Sequence, residues 1–172
     1  MRKISILVVV FCFISCSNSE PKADVIISNE KEVICNVIDT WHKNAAEGNF
    51  EDYFSAMTNS SVFIGTDANE NWLMPEFKEF SRPYFADGVA WDFKAIDRNV
   101  YLSADNKIAW FDELLSTWMG VTRGSGVLVK ENDIWKIQHY VLSVTVPNKN
   151  VEDVIKINKE IDSLFLKKYQ IN

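Results

Sequence analysis

RGSGVLVKENDIWKIQHY, residues 123–140, decides how this chain is read. It opens like a phosphate-cradling glycine loop and closes like a strand, so two architectures compete for it. A P-loop needs GxxxxGK followed by Ser or Thr and then a helix. Here Gly126 precedes Val127-Leu128-Val129-Lys130, a β-forming run, and no third glycine completes a dinucleotide fingerprint. A nucleophile elbow is excluded as well, because Gly124-Ser125-Gly126 lacks the GxSxG flanks and sits in a strand rather than at a strand-to-helix turn. The stretch is therefore predicted as a hairpin of residues 122–130 and 134–146, turning at Glu131-Asn132-Asp133. Strict alternation puts Arg123, Ser125, Val127 and Val129 on one face and Gly124 and Gly126 on the other. On the partner strand Trp135, Ile137, His139, Val141 and Ser143 share a face. Two glycines on one side of a strand invite close packing or a sharp bend.

Upstream of the hairpin the period is two as far back as about residue 91. Trp91, Phe93, Ala95, Asp97, Asn99 and Tyr101 alternate with Asp92, Lys94, Ile96, Arg98, Val100 and Leu102. Residues 108–119 form the next predicted strand, with Trp110 and Trp118 on one face and Phe111 and Leu115 on the other, so both faces are expected to be covered. Before residue 88 the period is helical. Asn29 and Glu32 have the spacing of a capping box, and Val33, Ile34, Val37, Ile38, Trp41 and Ala45 make one apolar stripe that stops at Gly48. A short helix capped by Asn49 carries Phe50, Tyr53, Phe54 and Met57. Another starts near Pro75 and carries Phe77, Phe80 and Tyr84, with Pro83 expected to kink its end. SVFIGT, residues 61–66, is an isolated strand that must join the same sheet. The chain closes on an amphipathic helix, 151–168, with Val154, Ile157, Ile161, Leu164 and Phe165 expected to face inward. Helices followed by a mostly antiparallel sheet define an α+β domain.

At 172 residues, 47% hydrophobic and 13% aromatic, the chain can bury one core but hardly two. Eighteen Lys and Arg against 24 Asp and Glu, a net charge of -6, argue against nucleic-acid binding, which depends on neutralising phosphates. Arg2 and Lys3 precede ILVVVFCFI, too short to span a bilayer, and Phe13-Ile14-Ser15-Cys16 resembles a bacterial lipobox. The resemblance implies an export signal over residues 1–15, a lipidated Cys16, a polar tether over 16–28, and an exported lipoprotein anchored to a cell-envelope membrane. Cys12 would then leave with the signal, and Cys35 would remain alone with no disulfide partner.

The run from Trp41 to Asn148 resembles the SnoaL-like branch of the NTF2-like superfamily. The matching pieces are DTWHKNAAEGN, VFIGTD with Trp72 after it, PYF at 83–85, AWFDELL, RGSGVLVK and WKIQHYVLSVTVPN. The resemblance implies one domain over 29–148 followed by the helical segment 149–172. It also implies a strongly curved, mostly antiparallel sheet wrapped with N-terminal helices around a pocket, and often a dimer through the outer face of the sheet. It implies no reaction, because the fold hosts isomerases, dehydratases, hydrolases and inert modules.

In relatives the hairpin face equivalent to Ser125 and His139 looks into the cavity. His139 could act there as a general acid or base, or simply be a half-buried histidine bonded to Ser125 or a carboxylate. Arg123 could clamp an anionic group, or pair across strands with Glu113, for which Asp112 is a rival. Asp67, at the end of a strand, could be a pocket carboxylate or a loop residue bonding its own backbone. Trp72 and Tyr84 could be pocket walls or plain core. No ligand spacing for a metal and no cofactor motif are present in the sequence. Two functions remain open. One is a pocket for a small apolar or aromatic molecule bearing an acidic group. The other is a cofactor-free lyase or isomerase in which Asp67, Glu113 or His139 carries a proton.

Overall fold

Asn132 and Asp133 both adopt left-handed backbone conformations, φ 49° and 63°, in the computed structural model, so the 123–140 stretch closes as a tight two-residue hairpin. The structure describes residues 23–170, and the expected export signal, Cys16 and the first part of the tether lie outside them. In chain order the elements are helix α1 (Ala23–Ala46), helix α2 (Phe50–Ser55), strand β1 (Met57–Ile64), strand β2 (Asn71–Leu73) and helix α3 (Met74–Ala86). Strands β3 (Lys94–Leu102), β4 (Ile108–Thr117), β5 (Gly120–Glu131) and β6 (Ile134–Val144) follow. A 3-10 turn at Asn148–Asn150 then leads into helix α4 (Val151–Lys167).

The strands form one curved sheet in the order β2-β1-β6-β5-β4-β3. Only β1 and β6 are parallel; the remaining neighbours are antiparallel. This is the α+β architecture expected from the sequence. The stripe of α1 behaves as its spacing predicts: Ile34, Ile38, Trp41 and Ala45 are buried. They meet a sheet face carrying Phe111, Leu115, Leu128, Ile137 and Tyr140.

Several local expectations are corrected. The first helix begins at Ala23, so Asn29 lies inside it and caps nothing. Met57 opens β1 instead of ending a helix, because the chain from Met57 onward pairs with β6. Pro83 is accommodated within α3, which continues to Ala86. Trp110 is 46% and Trp118 84% exposed, so the outer face of β4 is bare, not covered. No residue of α4 is buried, and Ile157, Ile161 and Leu164 are 76%, 69% and 63% exposed. That helix touches little besides the 3-10 turn that precedes it, so its amphipathic pattern meets no surface of the described residues.

The correction with most consequence is in β6. The register slips between Val127 opposite His139 and Leu128 opposite Ile137, leaving Gln138 as an extra residue. Such a bulge reverses the faces beyond it. Trp135 and Ile137 are buried before the bulge, and Tyr140 and Leu142 after it, while His139 and Val141 turn to the other side. A similar slip at Ile96 in β3 turns Arg98 and Val100 inward.

Candidate functional site

The concave face of β4 presents Ala109, Phe111, Glu113 and Leu115, and Glu113 is 1% exposed. A carboxylate so deep needs several donors to be tolerated. Glu113 Oε1 lies 2.8 Å from His42 Nε2 on α1 and accepts the Tyr140 hydroxyl of β6 at 3.1 Å. The other oxygen, Oε2, accepts the Arg98 Nε–H of β3 at 2.9 Å and forms an ion pair with Nη2 at 2.8 Å, although Nη2 makes no hydrogen bond. Arg98 Nη1 then reaches Asp39 at 2.7 Å and the Cys35 carbonyl at 3.3 Å, both on α1. One carboxylate thus ties α1 to three strands.

Gly124 makes the room for this hub. It stands directly opposite Glu113 across β4 and β5. A Cβ at Gly124 would collide with the Tyr140 hydroxyl and stand 2.8 Å from Glu113 Oε1. Burial by itself would raise the Glu113 pKa, but hydrogen bonds and charge from His42 and Arg98 outweigh it and hold the carboxyl below its ordinary range. The Tyr140 phenol is pushed well up, first by burial and then by the Glu113 charge. Glu113 is therefore an ionised carboxylate whose oxygens already have partners. A general base needs a free lone pair and a pKa nearer neutrality.

The nearest open space is a narrow aromatic cleft of about 100 Å³. Its walls come from Phe63 of β1, Trp72 of β2, Phe77 and Phe80 of α3, and Trp91 and Phe93 before β3. Phe63 and Phe77 stack at 4.0 Å and 14°, and Trp72 and Phe80 at 4.3 Å and 25°. Phe93 joins cleft to hub, since its ring also meets the edge of His42 at 6.2 Å. A larger groove of about 700 Å³ runs between α1, α2 and the start of β6 and is separate from both. Among the described residues, no group of three or more His, Cys, Asp or Glu could hold a metal ion.

A family model described as a SnoaL-like domain matches residues 34–147. The chain belongs to the SnoaL-like domain family. Its fold is similar to that of an NTF2-like protein of unknown function from Pseudomonas putida KT2440, with a TM-score of 0.58 and 10% identity over 72% of this chain and 92% of that one. It is also similar to a protein from Streptomyces avermitilis named as a candidate dehydratase of the NTF2-like family, with a TM-score of 0.59 and 14% identity over 70% and 99% of the two chains. The association domain of C. elegans CaMKII gives a TM-score of 0.56 and 18% identity over 68% and 97%. At these identities the likeness concerns the fold alone. No curated protein matches the chain.

Within this SnoaL-like domain, the residues singled out by sequence scatter over five places. Trp72 lines the cleft. Tyr84 lies on α3 outside it, 47% exposed, with its ring 5.4 Å from Phe80. Arg123 is exposed on the outer face of the sheet, and Ser125 and His139 are half-buried there, so none of the three looks into the cone. The expectation failed for Arg123 and Ser125 because the buried side of β5 belongs to the glycines, and for His139 because of the bulge at Gln138. Glu113 takes Arg98, not Arg123, as its partner. Asp112 faces outward and accepts the Asn99 side-chain amide at 3.2 Å. Asp67 sits in an exposed turn, accepting the backbone and side-chain N–H groups of Asn69 at 2.8 and 2.9 Å. Those bonds lower its pKa.

Sequence reasoning did not single out Arg98, Tyr140 or His42. The available signal was the pair of glycines, whose empty face opposes Glu113 on one neighbouring strand and Tyr140 and Leu142 on the other.

Proposed function

We propose that this SnoaL-like domain binds a small apolar or aromatic molecule in the cleft walled by Phe63, Trp72, Phe77, Phe80, Trp91 and Phe93, without transforming it. The observation that carries the reading is the cleft itself, which is stacked, apolar and about the size of one aromatic ring. An apolar cavity of roughly 150 Å³ is known to admit benzene. The alternative, a cofactor-free lyase or isomerase, is less favoured. Of its three proton carriers, Glu113 is saturated by donors, Asp67 is held by its own turn and His139 faces away from the cone.

Calorimetric titration with indole is the direct test. Saturable binding is expected, with Trp72→Ala weakening it about tenfold or more through loss of one stacking wall. Arg123→Ala, on the outer face, leaves it unchanged. Absence of saturable binding would remove the proposal.

The same reading places the domain on the envelope membrane through an acylated Cys16, supported by the lipobox-like Phe13-Ile14-Ser15-Cys16. It also makes the protein a homodimer, supported by exposed Trp110 and Tyr101 on the outer sheet face and by the bare stripe of α4. Among the described residues no helix is long and apolar enough to cross a membrane. Native mass spectrometry of the protein from its own envelope fraction is expected to give a dimer whose chains carry acyl groups at Cys16. A soluble, unmodified monomer would end both claims.

A further inference from the structure

The rim of the cleft carries a charge opposite to the one that Arg123 suggested. Glu70 is the charged side chain among the lining residues, and among the described residues no basic side chain lines the cleft. Its placement is built into the β1–β2 turn. The carboxylate lies over Gly65, where any Cβ would collide with Glu70 Oε2. Backbone completes the support: Gly65 N–H donates to the Glu70 carbonyl at 3.0 Å, and Asp67 N–H donates to Glu70 Oε2 at 3.1 Å. One carboxylate oxygen is thereby fixed at the mouth of a ring-lined space. Asp67 adds a second negative charge to the same turn.

The cations nearby are committed elsewhere. Arg98 is held by Glu113 and Asp39. Lys168, at the end of α4, acts on the Asp67 carboxylate but does not line the cleft. Aromatic faces carry the negative end of the ring quadrupole, so the walls and the rim reinforce one another.

Building on the cleft reading, we infer that the ligand is an organic cation, an ammonium group on a compact apolar or aromatic body. The rings of Trp72 and Phe80 receive the cation's body and part of its charge, with Phe77 buried behind them, and Glu70 is its counter-ion. A carboxylate of the same shape would meet ring faces and Glu70 with no compensating donor, which excludes it.

Calorimetric titration of the purified chain with benzylammonium, benzyl alcohol and benzoate separates charge from shape. Benzylammonium is expected to bind about tenfold or more tighter than benzyl alcohol, with benzoate weakest. Glu70→Gln should bring benzylammonium down to the level of the alcohol measured on the same variant. Equal or tighter binding of the alcohol or benzoate to the unmodified chain overturns the charge selection and leaves the cleft reading standing. Tight benzylammonium binding that survives Glu70→Gln overturns the counter-ion role. No saturable binding by any of the three overturns the cleft reading and this inference together.

Discussion

Glu113→Ala is expected to cost the domain about 3–5 kcal/mol, the usual penalty for removing one member of a buried charge network. The loss follows from what would be stranded: Arg98 Nε, His42 Nε2 and the Tyr140 hydroxyl would all lose their acceptor inside the core, leaving Arg98 held only through Nη1. For a domain of this size that corresponds to a fall in melting temperature of roughly 6–20 °C. Asp112→Ala, one residue away on the outer face, should stay within about 0.5 kcal/mol. Because the Glu113 carboxyl is held below its ordinary range, the stability it contributes is present above roughly pH 4.5 and is lost as pH falls through its folded-state pKa. Glu113→Gln should therefore flatten the acid limb of the stability profile. Urea melts of wild type and the three variants between acid and neutral pH provide the measurement, and an acid limb identical in wild type and Glu113→Gln would refute the role assigned to the hub.

Gly124→Val is expected to be nearly as damaging, at about 3 kcal/mol or more. Overpacking of a tight site costs about 1–3 kcal/mol, and loss of the Tyr140 bond to a charged acceptor adds about 1.5–3 kcal/mol. The new Cβ would occupy the place of the Tyr140 hydroxyl and crowd Glu113 Oε1. Ser125→Ala, the next residue on the opposite face, should change stability by less than about 0.5 kcal/mol. Thermal melts of the two variants settle the matter, since similar melting points would mean that the face of β5 is not divided in this way.

The difference between Gly124 and Ser125 also measures how far the sequence could be read. Hairpin, turn residues, helix stripe and α+β class all follow from short-range patterns, because a period of two or of 3.6 is a property of neighbours along the chain. The buried stripe Ile34, Ile38, Trp41 and Ala45 was legible for that reason. Which face of the sheet looks inward was not. Strand alternation predicts faces only within an unbroken register, and Gln138 and Ile96 each break one. Beyond Gln138, His139 and Tyr140 exchange the places that alternation assigns them. Arg98 reaches the core by the same means, and its absence from the predicted site has that single cause.

The aromatic cleft shows the same division. Trp72 could be recognised as apolar wall or core, and Phe77 and Phe80 as one helix face, but their convergence with Phe63, Trp91 and Phe93 around a small space depends on β2 folding back on β1 and α3 closing over it. By itself the sequence determined the helices and the long strands, their order, the resemblance to the family and the rejection of a phosphate loop at RGSG, all of which rest on local spacing and residue chemistry; the short strand β2 escaped it. Tertiary structure alone decided that Glu113 belongs to Arg98 and His42, that Gly124 of RGSG opens space for Glu113 and the Tyr140 hydroxyl, and that Arg123, Ser125 and His139 stand outside the cone. A contact between residues 42 and 113 is set by register and packing, and one extra residue in a strand is enough to reverse it.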